Sequence, residues 1–163
     1  VDMVQLREKE MTPREFCEYA APLVEICKRN NIKVVINDSV ECAMALDADG
    51  VHLGQDDMPV MLARKLVGRD KLIGLSTHSA EQAEDAACSG VDYIGFGPIF
   101  PTPTKGYVKG LGPEQLVLVR AGCELPVLAI GGIDADNVCL VPCFAGIAVS
   151  SAICASVEPK NIC

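Results

Sequence analysis

The apolar positions of this chain follow two alternating rhythms. Short runs dense in Val, Ile and Leu recur at residues 3–7, 33–37, 50–53, 72–76, 93–96, 126–130 and 146–149. They are apolar on successive positions, which predicts strands buried on both faces, as parallel strands are. Between them the spacing becomes helical. Thr12-Pro13-Arg14-Glu15 is a capping box with proline at the first helical position. Behind it Phe16, Ala20, Leu23, Val24 and Cys27 fall on one helical stripe. Ser79-Ala80-Glu81-Gln82 reads as a second capping box, followed by Ala83, Ala86 and Ala87. Pro113 opens a further helix carrying Leu116, Val119 and Arg120, and shorter helices fit residues 40–46, 59–67 and 135–141.

Repeated βα units predict a parallel sheet covered by helices. Seven strands in 163 residues suit an α/β fold of the TIM (β/α)8 barrel type, lacking its first βα unit and its last helix. A closed eight-stranded barrel needs roughly 200 residues or more. An open doubly wound sheet is the alternative, but it would gather its polar motifs at one switch point. Here they follow nearly every strand. One domain spanning residues 1–163 is expected. The chain opens on Val1 rather than Met, so a preceding segment is expected as well. A barrel short of one strand has two unpaired edges, so the chain alone is expected to be poorly stable or inactive.

Half of the residues are apolar and 22% are charged, which excludes a disordered chain. No uninterrupted apolar stretch reaches the roughly 18–20 residues of a membrane span, and no secretory pattern marks the start. The net charge of −8, with no dense Lys/Arg cluster, argues against a nucleic-acid partner. The nine cysteines are odd in number and contain no C-x-x-C, which gives a zinc site or disulfide framework little support. Most fall in apolar helical segments and read as small hydrophobes, in a cytoplasmic chain with reduced thiols.

The unusual polar residues fall at the C-terminal ends of the strands, where barrels build their active sites. Gln5, Arg7 and Lys9 alternate, so one face of the first strand and its exit offers an amide and two cations to an anion. Asp38 and Asp57 follow neighbouring strands and suit a Mg²⁺ bridged to a diphosphate, with Asp56 an alternative to Asp57. A helix N-cap for Asp38 and a polar turn for Asp57 are the structural readings of the same residues. Gly131-Gly132 and Ser150-Ser151 end the last two strands, where backbone N–H groups form a phosphate cradle. The proline-rich loop 97–106 offers the hydroxyls of Thr102 and Thr104 and the charge of Lys105. His52 reads as a packed core residue and His78 as a loop residue, and no Ser-His-Asp spacing supports a triad. The pattern therefore predicts two anion sites, one for a metal-bound diphosphate and one for a monophosphate. Group transfer with diphosphate as leaving group follows, its growing charge stabilised electrostatically by Arg7, Lys9, Lys105 and the metal. Arg7, Asp57, Lys105 and Gly132 are expected to open onto one rim.

The motifs Gln5-Leu6-Arg7-Glu8-Lys9, Asn37-Asp38, Gly50-Val51-His52-Leu53-Gly54-Gln55-Asp56-Asp57, Ser76-Thr77-His78, Gly97 to Lys105 and Ile130-Gly131-Gly132-Ile133 together resemble the thiamine-phosphate synthase family. The resemblance covers nearly the whole chain. It implies a transferase (a thiamine-phosphate diphosphorylase) of thiamine biosynthesis. That reaction condenses hydroxymethylpyrimidine diphosphate with hydroxyethylthiazole phosphate, through a pyrimidine carbocation that the thiazole nitrogen attacks. Carried over by motif, Gln5, Arg7, Lys9, Asn37, Ser76 and Lys105 would hold the pyrimidine diphosphate, with Arg7, Lys9, Ser76 and Lys105 catalytic. Asp38 and Asp57 would bind Mg²⁺. Thr102, Thr104, Gly132, Ser150 and Ser151 would hold the thiazole phosphate. A thiazole tautomerase on the same barrel would not need the diphosphate set. A ligand-sensing barrel would not need intact catalytic residues, and the Thr102–Lys105 loop argues against an indole-pathway isomerase.

Overall fold

A computed structural model describes residues 1–102 and 108–157. Its chain packs as two compact units, Val1–Leu75 and Ser76–Cys163. Both repeat the same βα grammar.

In the first unit β1 (Met3–Leu6), α1 (Pro13–Arg29), β2 (Lys33–Asn37), α2 (Val40–Ala45), β3 (Gly50–Leu53), α3 (Val60–Val67) and the start of β4 (Leu72–Thr77) follow in order. Each strand pairs in parallel with the next, Met3 opposite Lys33, Val35 opposite Gly50, and Gly50 opposite Leu72. Val34, Val35, Ile36, Val51, Leu53 and Ile73 are buried, as apolar runs without alternation require. Helix α1 begins where the capping box places it: the Glu15 N–H donates to Thr12 Oγ1 and the Thr12 N–H to Glu15 Oε2. The Thr12 N–H and then the Thr12 hydroxyl, both donating to the Glu15 carboxylate, hold it below its ordinary pKa. Its stripe of Phe16, Ala20, Val24 and Cys27 is buried, and a side chain the size of Val contributes about 1.5–3 kcal/mol by full burial. Asp47, in the turn after α2, pairs with Lys28 at 3.1 Å and Lys71 at 2.5 Å, which lowers its pKa to about 2.

In the second unit the end of β4 leads to α4 (Ala80–Ala87), β5 (Tyr93–Phe96), α5 (Glu114–Gly122), β6 (Val127–Ile130), a 3-10 turn (Val138–Leu140), β7 (Gly146–Ala148) and α6 (Ser151–Cys154). Parallel pairing sets Ile94 opposite Val127 and Leu128 opposite Gly146. Thr77 closes β4 with its carbonyl accepting from Gly97 N–H at 3.2 Å and its hydroxyl donating to Gly95 O at 3.3 Å. Strand β5 is buried at all four positions, whereas Ile147 of β7 is 48% exposed. A strand whose second face is uncovered leaves such a residue wet.

Three expectations change. The helix expected over residues 135–141 is only the Val138–Leu140 turn. Asp134 Oδ1 accepts from the N–H groups of Asp136 and Asn137, competing with a helical backbone, and Pro142 disfavours helix at Val141. The second capping box is displaced: Ser79 Oγ accepts from Gln82 N–H, but Gln82 Oε1 reaches back to His78 N–H, one residue before the cap. The cysteines divide: Cys27, Cys42 and Cys123 are buried, Cys17 is half-buried, and Cys88, Cys139, Cys143 and Cys154 are exposed. The exposed four sit at element ends and turns, off the inward stripes that burial needs.

Candidate active site

In the first unit, β1 ends at Leu6 and carries the chain out through Arg7 to Lys9. Gln5, Arg7 and Lys9 are all exposed, as are Glu8 and Glu10 between and after them. Lys9 Nζ lies 3.8 Å from Asp38 Oδ2. Asp38 follows Asn37, the last residue of β2, which is in register with His52 of β3. Its N–H donates to the His52 carbonyl at 2.8 Å, and Ser39 N–H donates to Asn37 O at 2.7 Å across it. That three-residue γ-turn holds Asp38 at φ +63, a left-handed conformation that few residues other than glycine tolerate. Local strain of this kind gathers at functional sites. Asp38 is not the helix cap: Ser39 is, accepting from Cys42 N–H at 3.1 Å.

Asp57 is oriented from its own loop, Oδ2 accepting from Gly54 N–H at 2.6 Å. The polar-turn reading of Asp57 is therefore true as well, and one carboxylate serves the turn and faces Asp38. Burial, followed by the hydrogen bond and negative charge of Asp57, pushes the Asp38 carboxyl up, with Lys9 and Arg7 pulling it partway back. Two carboxylates thus face each other with two cations nearby. Asp56, the alternative ligand, is exposed and is not among the groups that perturb Asp38.

In the second unit an open cleft of about 110 Å³ is lined by Ser76, Thr102, Gly132, Ser150 and Ser151 together with His78, Pro98, Ile130, Gly131, Ile133 and Val149. The sequence scattered these candidates over three strand ends and the loop after β5, and the fold gathers them around one space. Thr102 is 8% exposed. Gly131 and Gly132 adopt φ +98 and +66, and a Cβ on Gly132 would stand 2.5 Å from Pro101 O and 2.8 Å from Phe100 Cβ. Glycine is required there on both counts. Thr104 and Lys105 lie outside the described residues.

His52 is buried within β3, as expected of a packed histidine. His78 is more than a loop residue. It lines the cleft, its Nδ1 2.5 Å from Gly97 O, a carbonyl that can only accept, so that nitrogen carries the proton. A signal for it existed: His78 stands two positions after Ser76 at the exit of β4, and period two puts both on one side.

Comparison with known proteins gives the family. A family profile described as thiamine monophosphate synthase matches residues 1–153. A thiamine-phosphate synthase of Chlorobium luteolum is 47% identical, the match covering 98% of this chain and 77% of that one. The chloroplastic thiamine biosynthetic bifunctional enzyme of Arabidopsis thaliana is also 47% identical, over 93% of this chain but 30% of its own length. A solved structure of thiamine phosphate pyrophosphorylase from Pyrococcus furiosus superposes with a TM-score of 0.90 at 34% identity, covering 99% of this chain and 78% of that one. The expected TIM-type α/β fold therefore holds, and these relatives are transferases. With sequence match along almost its whole length and this likeness of structure, the chain belongs to the thiamine monophosphate synthase family.

Proposed function

We propose that this chain carries the substrate sites of a thiamine-phosphate synthase. By the family's motifs, Gln5, Arg7, Lys9, Asn37, Ser76 and Lys105 bind the pyrimidine diphosphate. Thr102, Thr104, Gly132, Ser150 and Ser151 hold the thiazole phosphate, the last three largely through backbone groups. Both substrates are small phosphorylated molecules, and a reducing, cytoplasmic setting suits the eight described cysteines, all of them free.

The residues fit Mg²⁺. Asp38 and Asp57 supply hard carboxylate oxygens whose mutual repulsion raises Asp38, and a cation relieves that repulsion. Among the described residues no cluster of three or more His, Cys, Asp or Glu could cage a metal. Mg²⁺ is usually bound by only one or two carboxylates, with phosphate oxygens and waters making up its shell. When bound, it would offset negative charge on the diphosphate.

The reaction balances without a proton transfer. The bond from the pyrimidine methylene carbon to the diphosphate oxygen breaks, and its electron pair leaves with the diphosphate. The lone pair of the thiazole nitrogen forms the new carbon–nitrogen bond. Arg7, Lys9 and Lys105 stabilise the departing charge, which is largest in the transition state.

The observation that carries this reading is the cleft itself, where Ser76, Thr102, Gly132, Ser150 and Ser151 meet although 75 residues of sequence separate the first from the last. Given both substrates and Mg²⁺, the full-length protein should release diphosphate and form thiamine phosphate in equal amounts, and chelation should stop both. Diphosphate release indifferent to the thiazole phosphate would overturn the assignment.

A further inference from the structure

The turn that ends β6 is held by its carbonyls. Ile130 O accepts from Ile99 N–H at 2.9 Å, Gly131 O from Phe100 N–H at 3.0 Å, and Gly132 O from Asn137 Nδ2 at 2.8 Å. The first two donors are backbone, which any sequence supplies. The third is one side chain. The same amide uses its other end: Asn137 Oδ1 accepts from Asp134 N–H at 3.0 Å. Asp134 in turn fixes Asn137, its Oδ1 accepting from Asn137 N–H at 3.2 Å.

In a trans peptide the C=O and N–H point in opposite directions. Tying Gly131 O to Phe100 therefore turns the Gly132 N–H away from that loop, and tying Gly132 O to Asn137 turns the Ile133 N–H away from Asn137. Neither N–H donates to a partner among the described residues, and Gly132 and Ile133 both line the cleft. Gly132, at φ +66, has the conformational freedom to swing if its carbonyl is released. An amide suits the place between these two backbone groups, because it presents a donor to one and an acceptor to the other.

We propose that Asn137 is a positioning residue, holding the Gly131-Gly132 turn in the conformation in which its N–H groups receive a phosphate monoester. This deepens the reading of the cleft as the thiazole phosphate site and rests on it. Asn137 touches no reacting atom; it acts through Gly132 and Ile133.

The test compares the protein with Asn137→Asp and Asn137→Ala, titrated by calorimetry with thiazole phosphate and with the unphosphorylated thiazole alcohol. Asn137→Asp keeps the acceptor for Asp134 N–H and sets a carboxylate oxygen against Gly132 O, so it isolates the proposed contact if the alanine variant folds badly. Affinity for the thiazole phosphate should fall about 10-fold, the loss of one hydrogen bond to a charged group, while affinity for the alcohol is unchanged. The KM for the pyrimidine diphosphate should stay constant. Equal thiazole phosphate affinity in protein and variant, or parallel loss for phosphate and alcohol, would overturn the positioning role. If the unsubstituted protein binds the phosphate no better than the alcohol, the reading of the cleft fails, and this inference with it.

Discussion

In the first unit the candidate groups are the tips of long or charged side chains: Lys9, 60% exposed, reaches to within 3.8 Å of Asp38. Among the described residues of the second they are short: Thr102 is 8% exposed, and Gly132 has no side chain to move. The two designs suit different tasks. A leaving diphosphate builds charge, and charge is answered over several ångströms by groups that need only be near. A phosphate that merely anchors a substrate is held by directed N–H groups, whose value depends on angle and distance. Substitutions should therefore act by shape in the second unit and by charge in the first.

Gly132→Ala should have the largest effect. The added methyl meets Pro101 O and Phe100 Cβ at a positive φ, so the turn must shift. A displacement near 1 Å costs about 100-fold in turnover efficiency, read as kcat/KM for thiazole phosphate. An alanine variant with unaltered kinetics would break the contrast. Asp57→Asn comes next. Asparagine keeps an acceptor for Gly54 N–H and so preserves the turn, but it removes the charge. The Mg²⁺ concentration giving half-maximal rate should rise by at least about 10-fold with little change in Tm. Equal damage to Tm would make Asp57 structural. The smallest effect is expected from Asp47→Asn, a charge change in the same unit away from the candidate groups. Its pairing with Lys28 and Lys71 sets its pKa at about 2 in the folded chain, below the value of about 4 of an unfolded aspartate. The stabilisation is thus complete above about pH 4 and fades as pH falls through the folded value. Asp47→Asn should lower Tm slightly at pH 7, not at all near pH 1, and leave activity intact, since exposed pairs contribute little.

The fold was largely readable in advance because buried parallel strands write themselves as apolar runs: β2, β3 and β5 have the expected bounds. The misread helix at residues 135–141 shows the limit. Its apolar positions suggested helical spacing, but Asp134 and Asn137 spend their side chains on the backbone, which periodicity does not register. The site shows the same division. Residues that act by their own chemistry, such as Lys9, Asp38 and Asp57, are conspicuous at strand ends. The γ-turn that presents Asp38 is not, because it depends on hydrogen bonds between backbone groups brought together by the register of β2 and β3. Asn137 escaped notice for a related reason: its partners are peptide groups, which carry no letter in the sequence.

The outward-facing thiols have a practical consequence. Cys154 closes α6, the short helix that Ser151 opens at the lip of the cleft, and is exposed. A maleimide dye on it would sit about one helical turn, some 5 Å along the axis, from Ser151. With Cys88, Cys139, Cys143 and Cys163 changed to serine, such a dye becomes an optical reporter of occupancy, allowing substrate entry to be timed before any bond is made.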